Sequence, residues 1–434
     1  SSWRTPLSRR RTAGPGVLDL ARGFTRRGWG FVLAGLLLCL EGWLVGHPDL
    51  LPLGVLLLSL PLLGLAFARR ARFRLAAARA VLPTRVPLGA SVQVTLQITN
   101  LAKMTTGLLL LTDHIPPTLG SARRFVVSSI SSQSERVVSY ELPTTSRGRR
   151  TIGPLRVRVV DPFGLVSLDR SFSTVDHIVV QPRVESLRGT DRAGRWAGGG
   201  DVAIRAVVAA GSDDVVPRDY RTGDELRRVH WRATARVGEL MVRREEQPWR
   251  TKATILLDTR TSAHVGVGPA ASFEWLVSAA ASVTLELLHR GFVVDLIDHT
   301  GTTLCDAIEP GTSGSTRLLD RLAELETRNE AHWPERRAPD GLTVALLGRL
   351  SRTDAATLAG WRSPTGTAFT LALDMATWSA PTRANDISVE AALIRLQQSG
   401  WRSQVVRNGT NVANAWAGLL HPTRVRVPTP TGVA

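Results

Sequence analysis

The 434-residue chain has little cysteine and almost no lysine. Its two cysteines, Cys39 and Cys305, lie far apart and form no spaced framework. That argues against both a disulfide scaffold and a cysteine-based zinc site. Lysine stands only at Lys103 and Lys252, so nearly all of the 54 basic residues are arginine. Acidic residues number 37, which leaves a formal charge of +17. Two readings fit: arginine codons favoured by a GC-rich genome, or a surface for an acidic partner, an anionic membrane or nucleic acid. At 43% hydrophobic and 21% charged residues the chain is not disordered. Its length suffices for two or three compact cores.

Two long apolar runs open the chain. Trp29 to Gly46 is apolar apart from Glu41, and Leu50 to Ala68 carries no charge. Each is long enough to cross a hydrocarbon core as a helix. Only His47-Pro48-Asp49 joins them, so the spacing predicts a transmembrane hairpin over 29–68 with both ends on one side. Pro52 sits in the first turn of the second span, and the kink expected at Pro61 is tolerated in a membrane. Seven arginines precede the first span from Arg4 to Arg27, five follow the second from Arg69 to Arg79, and the tip has none. The positive-inside rule then places both termini in the cytoplasm, with residues 1–28 as a basic cytoplasmic tail. A cleaved signal peptide competes, but a second span follows at once and no A-x-A site is evident. Glu41 falls near the outer interface.

From about residue 70 to 185 the period changes to two. Ser91-Val92-Gln93-Val94-Thr95-Leu96-Gln97-Ile98-Thr99 alternates polar and apolar, the mark of a strand with one buried face. Short strands follow at 108–111, 125–127, 136–142, 155–160 and 178–181, punctuated by Pro, Gly and Ser/Thr. Such spacing predicts an all-β sandwich of immunoglobulin-like type, without a catalytic constellation.

Residues 186–250 read as a linker followed by the densest stretch of the chain. After the Gly/Ala-rich 188–214 come Arg218-Asp219-Tyr220-Arg221, Gly223-Asp224, Arg227-Arg228, His230-Trp231-Arg232-Ala233-Thr234-Ala235-Arg236 and Leu240-Met241-Val242-Arg243. Asp224 suits a helix N-cap and Glu225 the positive end of the dipole. Gly238 then breaks that helix before a short strand. Interleaved Arg and acid side chains can pin a linker by bidentate pairing, or offer arginines to a partner's acidic groups or a phosphate. His230, beside Asp224 and Glu225, is a buried hydrogen-bonded histidine, a metal ligand or a general base; no second His stands at ligand spacing.

The C-terminal segment, 251–434, alternates apolar runs (253–258, 292–297, 343–347, 368–374, 403–407) with helical periods (272–290, 315–326, 353–361, 388–399). This predicts a doubly wound α/β fold. No G-x-G-x-x-G follows the first strand, so a dinucleotide site is not supported.

The stretch from Arg218 to Arg243 resembles the signature of the family catalogued as domain of unknown function 58. Arg147-Gly148-Arg149 with Gly153-Pro154-Leu155, and Asp161-Pro162-Phe163-Gly164-Leu165, are similar to a second element of that family. The resemblance implies a bacterial inner-membrane protein that works with an AAA+ ATPase of the MoxR type, as adaptor or client, in membrane-complex assembly or envelope maintenance. Other envelope proteins are further partners on that reading. It makes Arg218, Asp219, Tyr220, Arg221, Gly223, Asp224, Arg227, Arg228, His230, Trp231, Arg232 and Arg236 the partner-binding set. The run Asp258-Thr259-Arg260-Thr261-Ser262 looks like the opening of a von Willebrand factor A domain, where Asp-x-Ser-x-Ser holds a divalent cation. Here Asp258 and Ser262 remain as degenerate ligands, but Arg260 brings a positive charge where an oxygen is needed. Gly348-Arg349-Leu350-Ser351 stands where Thr-Asp would complete the site. The expectation is therefore no bound cofactor, with Mg²⁺ the ion if one bound, and Arg260 free to pair with Asp258.

The multidomain expectation is thus hairpin, sandwich, linker with motif, and von Willebrand factor A-like domain. An interaction protein leads. A hydrolase using Asp219, Asp224, Glu225 and His230 needs those groups in one polar pocket. Nucleic-acid binding is disfavoured, because the arginines are spread over every segment and no recognition signature is present.

Overall fold

The computed structural model describes residues 23–161, 163–187, 217–220, 231–243, 252–330, 332–335, 341–362, 366–378 and 389–420. Its contacts divide the chain between Val180 and Gln181 into two compact units.

In the first unit, two helices, α1 (Arg26–Val45) and α2 (Leu50–Phe73), are both long and apolar enough to cross a membrane. Thr25 caps α1 by accepting from Gly28 N, and Gly46 ends it in the left-handed region. Only 17% and 22% of the two apolar windows are buried. Leu36, Leu37, Trp43, Leu62 and Leu63 are exposed. A helix that is apolar all round and uncovered by protein differs from the core helix of a soluble domain.

Three sheets follow among the described residues, antiparallel at every pair whose register is defined. One pairs β1 (Leu75–Leu82), β3 (Ser91–Asn100) and β6 (Glu135–Pro143). A second holds β2 (Arg85–Pro87), β10 (Asp176–Gln181) and β7 (Gly148–Ile152). The third runs β5 (Arg123–Val127), β4 (Leu108–Asp113), β8 (Leu155–Val160), β9 (Ser167–Phe172). Along β3 the apolar residues Val92, Val94, Leu96 and Ile98 are buried in turn, as the period of two requires. They share one core with Leu109, Leu111, Val157 and Val159 of the third sheet and Ile178 and Val180 of the second. One charged network is buried beside it. Arg79 meets Asp113 through Nη2 at 2.5 Å and Asp176 through Nη1 at 3.2 Å, and Tyr140 donates to Asp113 at 2.6 Å. Arg79 also donates to the carbonyls of Ile152 and Thr174. Gly153, at φ 111°, lies against this guanidinium: an added Cβ would stand 2.7 Å from Arg79 Nη1. Gly153 of the Gly153-Pro154 pair is thus a backbone position that only glycine fits.

In the second unit, a six-stranded sheet has the order β15 (Thr303–Ile308), β14 (Val293–Asp298), β13 (Lys252–Leu257), β16 (Leu342–Leu347), β17 (Thr367–Leu373), β18 (Arg402–Val406). All neighbours are parallel except the edge strand β15. Five helices flank it: α4 (Ser272–His289), α5 (Thr312–Ala323), α6 (Arg352–Ala359), α7 (Val389–Gln398) and α8 (Val412–Leu420). A shorter α3 (Trp231–Val237) precedes the sheet. Alternate strand residues feed two cores. Ile255, Leu257, Val344 and Leu346 pack with Leu276, Val277, Leu318 and Trp416 from α4, α5 and α8. Leu256, Ala345 and Leu347 pack with Leu358, Leu393 and Leu396 from α6 and α7. Both faces of the central strands are therefore covered, which is why they read as continuous apolar runs. The unit begins earlier than the composition change at 186. Ser278 Oγ donates to Arg183 O, Glu185 N to Ser282 Oγ, and Leu187 is buried in the core of α4 and α8.

Candidate functional site

In a doubly wound sheet, ligands settle at the carboxyl ends of the strands where the order reverses. Here the chain leaves β13 towards β14 on one side, while β16 lies on the other. The reversal therefore falls between Asp258, just beyond β13, and Gly348, just beyond β16.

The chain's own Arg260 occupies that place. Its Nε and Nη2 each lie 2.9 Å from the two carboxylate oxygens of Asp258, a bidentate pair. Nη1 reaches Asp354 Oδ2 at 3.0 Å, and Nη2 also donates to Arg349 O at 2.9 Å. The guanidinium carbon lies 4.9 Å from the ring centroid of Trp333. Asp258 is 0% exposed and Arg260 4%. Burial opposes the charge of Arg260, but the hydrogen bond and charge of Asp258, with those of Asp354, outweigh it and hold the guanidinium above its ordinary range. The carboxylates are placed by backbone. Gly348 N donates to Asp258 Oδ2 at 3.2 Å, and Asp354 forms a capping box with Ser351 at the start of α6.

Two histidines flank the pair. His264 Nε2 lies 2.8 Å from the carbonyl of Asp258, so that nitrogen carries the proton and Nδ1 faces Ser272 Oγ at 3.3 Å. His299 Nδ1 lies 2.8 Å from Thr259 Oγ1, and its Nε2 is buried without a partner. Trp333 Nε1 is likewise buried and unpartnered, and the two rings meet edge to face at 5.9 Å. Burial pushes both histidines below their ordinary range, so both are neutral at neutral pH. At the end of β14, Asp298 accepts through one oxygen from Thr300 and Thr302, and its other faces Arg328 at 3.0 Å.

Of the two residues resembling metal ligands, Asp258 is buried under Arg260 with both oxygens engaged. Ser262 is exposed on the turn Thr261–Ala263. Among the described residues, no group of three or more His, Cys, Asp or Glu side chains is placed to hold a metal. Asp354, Trp333, His264, His299 and Arg328 escaped the sequence reading, because loops far apart in sequence bring them together. One signal was available: the apolar run of β14 closes on Asp298-His299 just as that of β13 closes on Asp258-Thr259.

The signature motif is described in part. Its ends meet: β11 (Pro217–Asp219) pairs antiparallel with β12 (Met241–Arg243), Arg218 opposite Val242 and Asp219 opposite Met241. Tyr220 N donates to Leu240 O at 2.8 Å, and Met241 N to Thr234 Oγ1 at 3.0 Å. The bracket closes on α3, where Trp231 is 69% exposed, with Val237 and Leu240 also exposed. Arg236 is exposed on the same helix. Arg221, Gly223, Asp224, Arg227, Arg228 and His230 lie outside the described residues, as do the side chains of Arg218, Asp219 and Arg232.

Residues 216–357 match the family model described as "Protein of unknown function DUF58", a range that holds both the bracket and every residue around Arg260. A curated relative, the uncharacterized protein YeaD of Bacillus subtilis, is 30% identical over 156 residues, 36% of this chain and 37% of that protein. The chain thus matches little more than a third of that relative's length. Solved structures with local likeness include the CARDB domain of a Pyrococcus furiosus protein (17% identity, 22% of this chain and 85% of that one, TM-score 0.17). Another is a putative ApaA protein from Bordetella pertussis (8% identity, 24% and 91%, TM-score 0.19). TM-scores this low carry no weight for the fold. The similarity to the DUF58 family thus lies over residues 216–357, the stretch that forms the bracket and the Arg260 crevice.

Proposed function

We propose that this chain is a membrane-anchored interaction protein whose signature bracket docks an AAA+ ATPase of the MoxR type, in membrane-complex assembly or envelope maintenance. The two apolar helices cross the inner membrane and leave both termini in the cytoplasm. The β domain is an immunoglobulin-like sandwich that serves as a spacer or binding module. The second unit is von Willebrand factor A-like, with the guanidinium of Arg260 standing where related domains hold a cation.

One observation carries the docking proposal: Trp231, at the heart of the family signature, is 69% exposed. Exposed tryptophan is uncommon on a solvated surface and is enriched at the centres of interfaces. Val237 and Leu240 extend the apolar area, and Arg236 adds a charge suited to an acidic partner. The crevice supports binding over chemistry, because its two carboxylates, Asp258 and Asp354, are engaged by an internal arginine rather than open to a substrate.

A pull-down of the tagged full-length chain in mild detergent, read by mass spectrometry, tests this. The native chain recovers a MoxR-type ATPase, and Trp231→Ala and Arg227→Ala/Arg228→Ala lose it. Recovery unchanged by either variant, or no ATPase from any form, overturns the reading.

A further inference from the structure

The β domain has an unassigned surface beside the two apolar helices. Asp161 gathers residues 163–166 into a tight turn: it accepts from Val166 N at 2.6 Å and from Phe163 N at 3.1 Å, and Gly164 N donates to Asp161 O at 3.0 Å. This turn is laid directly on the helices. Thr25 N donates to Leu165 O at 2.9 Å, and Thr25 Oγ1 to Gly164 O at 2.7 Å. Gly28, in the first turn of α1, is so close that an added Cβ would stand 2.1 Å from Leu165 O. On α2, a Cβ at Gly64 would stand 3.0 Å from Asp161 Oδ2. Leu165, Val166 and Leu168 share a small core with Leu65 and Ala68 of α2 and with Phe24 and Phe31.

These contacts fix the height of the turn. It lies level with the first turn of α1 and the last apolar turns of α2, where a spanning hairpin meets the headgroups. Trp29, exposed at that level, suits such a belt, and the exposed Arg26 and Arg27 suit its phosphates. Phe163, at the tip of the turn, is 61% exposed. A phenylalanine held out by a rigid turn at headgroup height has one natural occupant for its surface, the bilayer that the adjoining helices cross.

We infer that the turn carrying Phe163 is a membrane-contact foot of the β domain, seating that ring in the headgroup layer of the cytoplasmic leaflet. The inference rests on the proposal that the hairpin spans the membrane. It adds that the sandwich is held against the lipid surface rather than hanging from a free tether. The loop 114–122 would then face away from the bilayer. In the register of β4 and β8, Val160 at the foot pairs Leu108, and Leu155 at the other end pairs Asp113. The far end stands about 17 Å away at ~3.3 Å per residue.

The full-length chain, with its two native cysteines replaced, is reconstituted in vesicles of mixed phosphatidylcholine and phosphatidylglycerol. An environment-sensitive fluorophore is attached at Phe163→Cys or Ser121→Cys. Carbonate extraction first establishes that the chain is integral; release into the supernatant overturns the spanning reading itself. For integral protein, the label at 163 is expected to emit further to the blue than at 121. It should also be several-fold less quenched by aqueous iodide, and strongly quenched by a headgroup-region spin-labelled lipid. A label at 163 as iodide-accessible as at 121 overturns the foot. So does one shielded from iodide yet untouched by the spin-labelled lipid, which would mean a protein covers the turn. If Phe163→Cys does not fold, radical footprinting of the unsubstituted chain gives the same decision: Phe163 protected in vesicles and oxidised in detergent supports the foot, and equal oxidation refutes it.

Discussion

Replacing Arg260 with alanine removes the cation of a bidentate pair while leaving its carboxylate in place. Asp258 is 0% exposed, so water cannot take over the lost partner without opening the crevice. The remaining donors to its side chain are the backbone amides of Gly348 and residue 260, at 3.2 Å each. Breaking a buried pair by removing one member costs about 3–5 kcal/mol. The cation–π contact with Trp333 and the link to Asp354 are lost as well. Because β13 and β16 end in this crevice, the loss is read locally by amide exchange in those strands. A factor of ten corresponds to about 1.4 kcal/mol, so their exchange should quicken by roughly two to three and a half decades. The amides of β3, in the other unit, should not change. A double-mutant cycle with Asp258→Asn should show coupling, because neutralising the carboxylate removes much of the penalty. Acceleration of less than about tenfold, with no coupling, would show that the pair does not hold the strand ends together, and the reading of the crevice would fail.

Other expectations follow from the same geometry. Arg260→Ser leaves the carboxylates of Asp258 and Asp354 around the space of the guanidinium; Mg²⁺ or Mn²⁺ should raise the thermal stability of this variant and leave the native chain unchanged. Equal responses in the two would refute the view that Arg260 stands in a cation's place. His264 and His299 are held below the ordinary histidine value of 6.5 by burial. The unfolded chain therefore binds more protons than the folded one, and stability falls as pH drops through about 6.5 towards the lower folded values. A melting temperature that rises on acidification over that range would contradict the assignment. Tyr140 donates to Asp113, and burial, together with that bond and charge, raises its pKa far above the ordinary phenol range. Tyr140→Phe should cost about 1.5–3 kcal/mol, seen as faster exchange in β4 and β6 and unchanged exchange in β13.

The two apolar helices were legible in the sequence because their signal is one-dimensional: length, apolarity and the absence of charge. The strand Ser91–Asn100 was legible from strict alternation, and the buried parallel strands from continuous apolar runs. Several elements escaped, among them the strands Leu75–Leu82, Arg85–Pro87, Gly148–Ile152 and Ser167–Phe172 of the first unit and two elements of the second. The edge strand Thr303–Ile308 reads Thr-Leu-Cys-Asp-Ala-Ile, with half of it polar and a register shift against β14, so neither period shows. The helix Val412–Leu420 is short and mostly Ala, Leu and Trp, without a polar face to set a 3.6-residue period. At the site, Arg260 was legible as the residue out of place in an Asp-x-Ser-x-Ser pattern. Its other partners were not. Asp354 is 94 residues on and Arg349 is 89, and their approach depends on β13 and β16 being sheet neighbours.

Binding of a purified MoxR-type ATPase to the full-length chain in lipid nanodiscs, followed with and without nucleotide, tests the proposed function most directly. Saturable binding to the native chain that Trp231→Ala weakens at least about tenfold, the ~1.4 kcal/mol or more expected of a hot-spot tryptophan, is the predicted result. Equal affinity for native and variant chains, or no binding in either nucleotide state, would contradict it.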